Sequence, residues 1–469
     1  MLHDPRALLA DAPRVRDALG EAGWSCTSLD ELLGAGHRQH LDRDELAPLL
    51  RRTQGGSALQ DLARALVLGA PVRAHTLPDS WIGPGGRALV RLQAVAHAGV
   101  EVNVPHDPGS AAAALEVEQV LGVGAASLTL AAATPRAVVG RVLDLGAGAG
   151  IQALLAEDHC STVVATDRNP RAVAYTQLAS ALNGVSVDAR VGDLLEPVAG
   201  EQFGLVVSNP PFVIGPKRRY TYRDAGYAGD EVCRRLVQGV PEVLAPGGHA
   251  VLLVNWLHRT GEDGDERVRS WFEGTGCDGW VVQRELAAPE EYVTAWLRDT
   301  DERAFDALYD EWVDALADVD AIAFGVLALH KRTDGRPTKV VVETVDQPTA
   351  ATWGEEVLAH FRRRELLEGD LLAVPLVLRE DVRLHQVATR TEEGWFAHNQ
   401  LLQQERGLRW SGGVDAYGAT LLAACDGSQP LGTLIGILAA SAGLSVDEAT
   451  QDVLPVLRRL VEQGFLVAP

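Results

Sequence analysis

The stretch from residue 142 to residue 150 limits the folds open to this chain more than any other. It reads Val-Leu-Asp-Leu-Gly-Ala-Gly-Ala-Gly, an apolar strand that breaks into three alternating glycines before an alanine-rich helix. In α/β folds, a strand that turns through glycines into a helix presents backbone amides to a bound ligand. The fingerprint of dinucleotide-binding folds requires glycines at its first, third and sixth positions, and Ile151 occupies the sixth. The turn therefore predicts an α/β domain that binds a ligand other than a dinucleotide.

Short apolar runs follow the glycine turn at intervals that fit a parallel sheet. Such runs are typical of strands buried on both faces, and predicted helices alternate with them in the βαβ pattern. Two later runs, 280–283 and 322–329, predict an antiparallel pair that closes the sheet. The other predicted strands cover residues 141–145, 162–166, 205–208 and 250–255, with a weaker strand near 185–191.

The chain of 469 residues is longer than one ordinary domain, and we predict three modules. Residues 1–105 predict a mainly helical module that ends in a hairpin. Residues 106–346 contain the sheet, with an acidic helical insertion at about 289–318 whose tryptophans and leucines are interpreted as packing residues. Residues 347–469 follow a proline-containing linker and predict a winged-helix-like α+β module.

Charge and cysteine content argue against several classes of protein. The formal net charge of -22 disfavours a protein that coats nucleic acid non-specifically, although it is compatible with a local basic surface. The five cysteines are scattered and never spaced as Cys-x-x-Cys, so we predict neither a disulfide framework nor a metal site. The sequence has no secretory signal and no run of about 18 uncharged apolar residues, so we expect a cytoplasmic protein without a membrane span.

An acidic residue lies at the end of each of the first three predicted strands. Asp167 lies roughly twenty positions after Gly146, where a carboxylate can accept hydrogen bonds from both hydroxyls of a ribose. Asp144 and Asp193 belong to the ends of the first and third strands. These carboxylates could instead cap the helices that follow. Their combination with the glycine turn favours a cofactor site.

The sequence Asn209-Pro210-Pro211-Phe212 ends the fourth predicted strand. Two prolines cannot continue a sheet, so the segment predicts a rigid turn. The side-chain carbonyl of Asn209 and the backbone carbonyl of Pro210 can accept hydrogen bonds from one planar NH2 group, against which Phe212 can stack. Such a turn would act by positioning and electrostatics rather than through a strong base. We predict that the catalytic residues are Asn209, Pro210, Pro211 and Phe212.

The glycine turn and the Asn-Pro-Pro-Phe turn together resemble the motifs of class I S-adenosylmethionine (SAM) methyltransferases of the Asn-Pro-Pro-Phe/Tyr group. That group includes HemK/PrmC protein-glutamine methyltransferases, RsmC-like ribosomal RNA guanine methyltransferases and adenine methylases, all of which methylate nitrogen. The resemblance covers about 138–287 and extends loosely to 331. It implies a Rossmann-like core of seven mostly parallel strands, with SAM as the cofactor and Asp193 near its adenine. The cofactor-binding residues it implies are Asp144, Leu145, Gly146, Ala147, Gly148, Gly150, Asp167, Arg168, Asn169, Asp193, Leu194 and Asn209.

The sequence signals divide between two branches of this group. The glycine-containing helix start at 228–237 is similar to that of HemK-type enzymes, whereas Phe212 replaces their usual tyrosine and is more typical of RsmC-like enzymes. The three-module layout also resembles a group of actinobacterial methyltransferase-domain proteins. The resemblance therefore leaves the methyl acceptor open.

Basic and aromatic residues alternate at 217–223, just beyond the predicted catalytic turn. They could hold a phosphate and stack a base, grip an acidic peptide or form a solvated lid, and the candidate substrate residues are Arg218, Tyr220 and Tyr222. We predict an N-methyltransferase that favours a protein or peptide side chain such as glutamine, because the chain is acidic. The alternatives are a ribosomal or transfer RNA base methyltransferase and a non-catalytic SAM-binding or partner-binding scaffold. The intact catalytic turn argues against a scaffold.

Overall fold

The computed structural model of the protein describes residues 3–73, 75–109, 118–215, 229–297, 302–392 and 394–469. These residues form two compact units. The first unit comprises Met1–Ala131 and Arg136–Thr344, and the second comprises Ala132–Pro135 and Val345–Pro469. The predicted separation of the first unit into an N-terminal module and a sheet domain stays a prediction.

Short helices and one hairpin form the N-terminal part of the first unit. Ser25 and Ser57 each begin a helix with a capping box, in which the serine hydroxyl and the side chain three residues later satisfy two exposed amides. The predicted hairpin is present as β1 and β2. The elements are a 3-10 helix (Pro5–Asp11), α1 (Ala12–Glu21), α2 (Cys26–Leu33), α3 (His37–Asp42), α4 (Leu46–Arg52), α5 (Ala58–Leu62) with a π-helical extension (Ala63–Val67), β1 (Arg91–His97) and β2 (Val100–His106).

The N-terminal helices share a hydrophobic core with three helices of the sheet region. Leu8, Leu66 and Trp81 are fully buried in this core, together with Tyr175 and Leu178 from the helix that follows the second sheet strand. Burial of apolar surface is the main favourable contribution to folding, so the two regions stabilise one another.

The central sheet of the first unit has eight strands in the order β10-β8-β9-β7-β6-β3-β4-β5. The five strands from β3 to β7 are all parallel to one another. Strand β9 pairs antiparallel with both β7 and β8. The predicted Rossmann-like sheet and its closing antiparallel pair are therefore confirmed. The strands are β3 (Val139–Leu145), β4 (Cys160–Asp167), β5 (Val187–Val191), β6 (Phe203–Ser208), β7 (Leu244–Arg259), β8 (Cys277–Ala287), β9 (Val319–Lys331) and β10 (Val340–Thr344).

Strand β10 makes this sheet one strand larger than predicted. It pairs in parallel with β8 at the edge of the sheet, and Trp280 donates a hydrogen bond from its indole nitrogen to Glu343 at 2.9 Å. Val340–Val342 form a short apolar run, but the residues of this strand are only partly buried or exposed, as expected at the edge of a sheet.

Helices α6 to α12 accompany the sheet. Asn169 caps α8, Pro170 occupies its first turn, and Gly184 ends it with φ 69°, as predicted. The predicted insertion consists of α11 and α12, between β8 and β9. The helices are α6 (Ala125–Ala133), α7 (Ile151–Ala156), α8 (Pro170–Asn183), α9 (Glu231–Val243), α10 (Gly264–Ser270), α11 (Pro289–Leu297) and α12 (Glu302–Ala315).

The second unit has an α+β composition, as predicted, and its winged-helix-like character stays a prediction. Its sheets have the orders β15-β11-β16 and β12-β13-β14, and its core includes Leu376, Ile435 and Phe465. Within the described ranges of the chain, no helix is both long and apolar enough to cross a bilayer. The elements are α13 (Gly354–Glu368), β11 (Pro375–Leu378), β12 (Val382–Thr391), β13 (Gly394–Gln404), β14 (Ser411–Gly413), α14 (Ala416–Ala423), β15 (Asp426–Pro430), α15 (Leu431–Ala442), α16 (Val446–Glu462) and β16 (Leu466–Val467).

Candidate active site

The three glycines after β3 adopt left-handed backbone conformations, with φ 77° at Gly146, 57° at Gly148 and 86° at Gly150. The amides of Gly146 and Ala147 donate to the carbonyl oxygen of Thr166 at 2.8 and 3.0 Å, which fastens the turn to β4. A Cβ atom at Gly148 would meet no other heavy atom within 4 Å. The turn is therefore firmly held but leaves open space on the side of Gly148.

The carboxylate of Asp167 lies directly beside this turn at the end of β4. One oxygen accepts a hydrogen bond from the amide of Gly148 at 2.9 Å, and the other accepts one from the amide of Asn169 at 2.8 Å. Each carboxylate oxygen has two lone-pair directions, so two further donors can still bind. Burial raises the pKa of Asp167 above its usual value. Asp167 can thus bind a pair of ligand hydroxyls while it holds the turn.

Asp144 is almost fully buried at the end of β3. One of its oxygens accepts a hydrogen bond from the amide of Ala153 in the first turn of α7, at 2.9 Å. Burial raises the pKa of Asp144 to about 7, with a further contribution from the negative charge of Asp167. Asp144 lines the cavity described below, and its hydrogen bond also fixes the start of α7.

The residues after β4 and β5 continue the same edge of the sheet. Asn169 accepts a hydrogen bond from the amide of Arg171 at 2.9 Å, and its side-chain nitrogen donates to the carbonyl oxygen of Glu118 at 3.1 Å. Arg168 and Asp193 are exposed. Leu194 adopts φ 47°, an uncommon conformation for a residue with a side chain.

The Asn-Pro-Pro turn is fastened to the glycine turn through Ser208. The hydroxyl of Ser208, at the end of β6, donates to the carbonyl oxygen of Leu145 at 2.7 Å. The side-chain nitrogen of Asn209 lies 3.5 Å from the hydroxyl oxygen of Ser127, within the limit for a weak hydrogen bond. The ends of β3 and β6 therefore present their two motifs side by side.

A cavity of about 420 Å³ joins these motifs. Most predicted cofactor and catalytic residues line it. They are Asp144, Leu145, Gly146, Ala147, Gly148, Asp167, Arg168, Asn169, Asp193, Leu194, Asn209, Pro210 and Pro211.

Two predicted site residues lie outside the lining of this cavity. Gly150 packs against α8, where a Cβ atom would come within 3.1 Å of the Thr176 side chain. The ring of Phe212 is buried against Phe324, with the ring centroids 5.5 Å apart. The three predicted substrate residues, Arg218, Tyr220 and Tyr222, lie outside the described residues.

Sequence reasoning missed several residues that line the cavity. Residues 119–127 form one part of the wall, Gln152 holds Ser127 through a 2.7 Å hydrogen bond to its carbonyl oxygen, and Trp296 of α11 contributes an aromatic side chain. None of these residues belongs to a sequence motif. They reach the cavity through tertiary contacts, which the local sequence does not reveal. Among the residues that the structure describes, no group of three or more His, Cys, Asp or Glu is arranged to hold a metal ion.

Comparisons with known proteins agree with this geometry. The family described as methyltransferase small domain matches residues 121–261. Residues 21–105 and 358–468 match two further families, each described as a domain of unknown function.

Individual relatives match only part of the chain. The release factor glutamine methyltransferase of Geobacter sulfurreducens is 33% identical over 157 residues, covering 30% of this chain and 53% of that protein. The ribosomal RNA small subunit methyltransferase C of Alcanivorax borkumensis is 32% identical over 116 residues, covering 25% of this chain and 32% of that protein. The chain thus spans about half the length of the first relative and about a third of the second. A solved structure, the T. thermophilus 16S rRNA N2 G1207 methyltransferase (RsmC) in complex with AdoMet and guanosine, is 19% identical with a TM-score of 0.33, over 58% of this chain and 61% of that chain.

The family match includes the glycine turn, Asp167 and the Asn-Pro-Pro turn, which are the features that meet at the cavity. The resemblance predicted from the two motifs is therefore confirmed for this region. The methyltransferase small domain family thus matches residues 121–261, the region that carries both motifs typical of class I SAM-dependent methyltransferases.

Proposed function

We propose that this chain transfers a methyl group from SAM to a planar nitrogen, with the amide of a protein glutamine as the favoured acceptor. One observation carries the proposal: the glycine turn, Asp167 and the Asn209-Pro210-Pro211 turn line a single cavity. A donor bound at the first two features would lie next to an acceptor bound at the third. This proximity is the main requirement for a direct transfer.

The residues at the cofactor side fit a nucleoside with an amino-acid tail. Asp167 retains lone pairs for two ribose hydroxyls, and Gly148 leaves room because it has no side chain. Asp193 and Leu194 line the same cavity and can contact a base by hydrogen bonding and apolar packing. When bound, SAM supplies an electrophilic methyl group on a sulfonium.

The residues of the catalytic turn fit a planar NH2 group. The side-chain nitrogen of Asn209 is directed toward Ser127, which leaves its carbonyl oxygen as an acceptor for the substrate. Pro210 contributes a backbone carbonyl within a turn that has few amide donors of its own. Two acceptors on one NH2 group hold the nitrogen in line with the donor and stabilise the positive charge that develops there.

Charge supports a polypeptide acceptor over RNA. The insertion at 289–318 carries ten acidic and two basic residues, and the exposed side chains of Asp306, Asp310 and Asp314 recur at every fourth position of α12. Such a surface repels phosphate groups. The relatives include a release factor glutamine methyltransferase and a ribosomal protein uL3 glutamine methyltransferase.

An RNA base is the second candidate acceptor. Phe212 matches the RsmC-like form of the motif, and two of the relatives are ribosomal RNA small subunit methyltransferases C. A guanine amino group presents the same planar NH2 to Asn209 as an amide does.

SAM that carries a stable-isotope label in its methyl group distinguishes these candidates. The purified chain is incubated with the protein fraction and, separately, with the RNA fraction of cells that lack it, and the label is followed by mass spectrometry. We expect label on glutamine in the protein fraction and its loss in the Asn209→Ala variant, with SAM affinity retained. Gln238→Ala, an exposed amide on α9, is the matched control and should keep full turnover. Label only in RNA would establish the second candidate, and normal turnover of Asn209→Ala would refute the role of the turn.

A further inference from the structure

We propose that Trp296 forms the acceptor wall of the cavity and selects a planar side-chain amide, a role that rests on the proposed function. Trp296 is the only aromatic residue among the described residues that line the cavity. It belongs to α11 in the insertion, and its side chain is partly buried. The cavity therefore offers one large flat apolar surface, and the insertion supplies it.

The structure places the expected stacking partner, Phe212, elsewhere. Its ring packs against Phe324 of β9 at a tilt of 49°, and the side chain is 7% exposed. In this position Phe212 does not line the cavity. The flat surface beside the acceptor is left to Trp296.

Hydrogen bonds fasten α11 to the catalytic segment. The hydroxyl of Tyr292 accepts a hydrogen bond from the amide of Ile214 at 2.9 Å and one from the side-chain nitrogen of Asn255 at 3.3 Å. Ile214 follows Phe212 by two residues, and Asn255 lies on β7. Trp296 is one helical turn beyond Tyr292, with the two ring centroids 6.1 Å apart. The position of the indole is thus set by contacts with the segment that follows the Asn-Pro-Pro turn.

A second contact holds the insertion against the same segment. A Cβ atom at Gly215 would lie 2.8 Å from the ring of Trp312 on α12, so glycine allows the indole to pack directly on the backbone. Trp312 is buried with Ile214 and Tyr292 in one apolar cluster. Both insertion helices therefore pack on the residues immediately after the catalytic turn.

An indole face in this position favours an acceptor that is an uncharged planar group on a polypeptide. An indole face stacks well on an amide plane and leaves the NH2 edge to the carbonyl oxygens of Asn209 and Pro210. The acidic insertion that carries Trp296 disfavours a phosphate chain beside it. Trp296 would thereby contribute to the affinity for the acceptor and leave SAM binding unchanged.

The test compares Trp296→Ala, Trp296→Phe and Trp296→Leu with the wild-type chain. Phe305→Ala is the matched control, because Phe305 packs in the same insertion but does not line the cavity. The first readout is kcat/KM for transfer of the labelled methyl group to the protein fraction, and the second is Kd for SAM. The third is the binding of N-acetylglutamine methylamide or of guanosine in the presence of S-adenosylhomocysteine. The leucine and phenylalanine variants preserve apolar volume, so the test does not depend on the folding of the alanine variant.

We expect Trp296→Ala to lower kcat/KM and glutamine-probe affinity roughly tenfold, with Kd for SAM within about twofold of wild type. The phenylalanine variant should keep most of the activity, the leucine variant should resemble alanine, and Phe305→Ala should resemble wild type. The role of Trp296 would be refuted if Trp296→Ala and Trp296→Leu kept the wild-type kcat/KM, or if they lost SAM affinity as much as acceptor affinity. Either result would leave the proposed function standing. Trp296-dependent binding of guanosine but not of the glutamine probe would overturn the amide specificity. A wild-type chain that neither transfers methyl groups nor binds either probe would refute the proposed function itself.

Discussion

The carboxylate of Asp167 accepts a hydrogen bond from the amide of Gly148 at 2.9 Å, which joins the end of β4 to the turn after β3. Its other oxygen accepts from the amide of Asn169, at the start of α8. Both donors are backbone groups, so the carboxylate is oriented before a ligand arrives. Such preorganisation lowers the entropic cost of binding.

Replacement of Asp167 by alanine should remove SAM binding. Each of two hydrogen bonds to a charged group contributes about 1.5–3 kcal/mol, so the affinity should fall by roughly a hundredfold or more. The measurement is the rise in Tm that SAM produces in the wild-type chain, which should be absent in the variant. Asp188→Ala, an exposed carboxylate on β5, should retain the rise. An unchanged rise in Asp167→Ala would contradict the cofactor assignment.

Alanine at Gly148 and at Gly150 should have different effects. Both positions have positive φ, so each substitution costs about 1 kcal/mol of folding stability. The methyl group at Gly150 also meets Thr176 at 3.1 Å, which adds roughly 1–3 kcal/mol of overpacking. The methyl group at Gly148 instead enters the cavity and should weaken SAM binding. Urea unfolding and calorimetric titration separate the two effects, and equal stability losses would show that the contact with Thr176 is easily relieved.

The stability of the chain should depend on the protonation of Asp144. Burial raises its pKa to about 7 from an ordinary value of 3.8. The folded chain therefore keeps this proton between about pH 4 and pH 7, where the unfolded chain has lost it. The stability that this bound proton contributes is fully present below the ordinary pKa. It is lost progressively as the pH rises from about 4 through 7.

Substitution of Asp144 by asparagine should remove this dependence, because the amide oxygen can still accept from Ala153 and carries no charge. The difference in the free energy of unfolding between Asp144→Asn and wild type should grow in favour of the variant from pH 4 to pH 7, by about 4 kcal/mol, and then level off. Urea unfolding at pH 5, 6, 7 and 8 measures it, with Asp188→Asn as a control that should parallel wild type. A pH-independent difference would show that Asp144 is ionised throughout this range.

Asp107 should contribute far more to stability than a surface carboxylate. It is buried, forms an ion pair with Arg171, and accepts hydrogen bonds from Tyr175 at 2.7 Å and from the amide of Val120 at 2.9 Å. Removal of one partner leaves the other charge buried, so Asp107→Ala should lower the free energy of unfolding by about 3–5 kcal/mol. Asp61→Ala breaks the more exposed pair with Arg73 and should cost at most about 1 kcal/mol. Urea unfolding of both variants tests this, and similar costs would mean that the buried network relaxes.

Sequence reasoning succeeded where the determining interactions are local. The start and end of α8 follow from Asn169, Pro170 and Gly184, because capping depends on neighbouring residues. The glycine turn and the Asn-Pro-Pro turn were likewise predicted, since each motif requires a particular backbone conformation. Their meeting at one edge of the sheet follows from the parallel order of the strands.

The remaining features depend on tertiary contacts. The sequence around Trp296 is amphipathic, as it is for an ordinary packing residue. Only the fold of the insertion places this side chain at the cavity. Phe212 fits either a stacking or a buried role, and the position of Phe324 decides between them. Asp107 pairs with Arg171 across 64 positions of sequence, a separation that periodicity does not reveal.

The apolar core that links Leu8, Leu66 and Trp81 to Tyr175 and Leu178 has a consequence for dissection of the chain. A truncated protein that began near residue 121 would retain the glycine turn and the Asn-Pro-Pro turn, yet the outer side of α8 would lose its packing partners and be exposed to water. The N-terminal helices should therefore be required for the stability of this region, and the smallest unit that folds on its own should be considerably larger than residues 121–261.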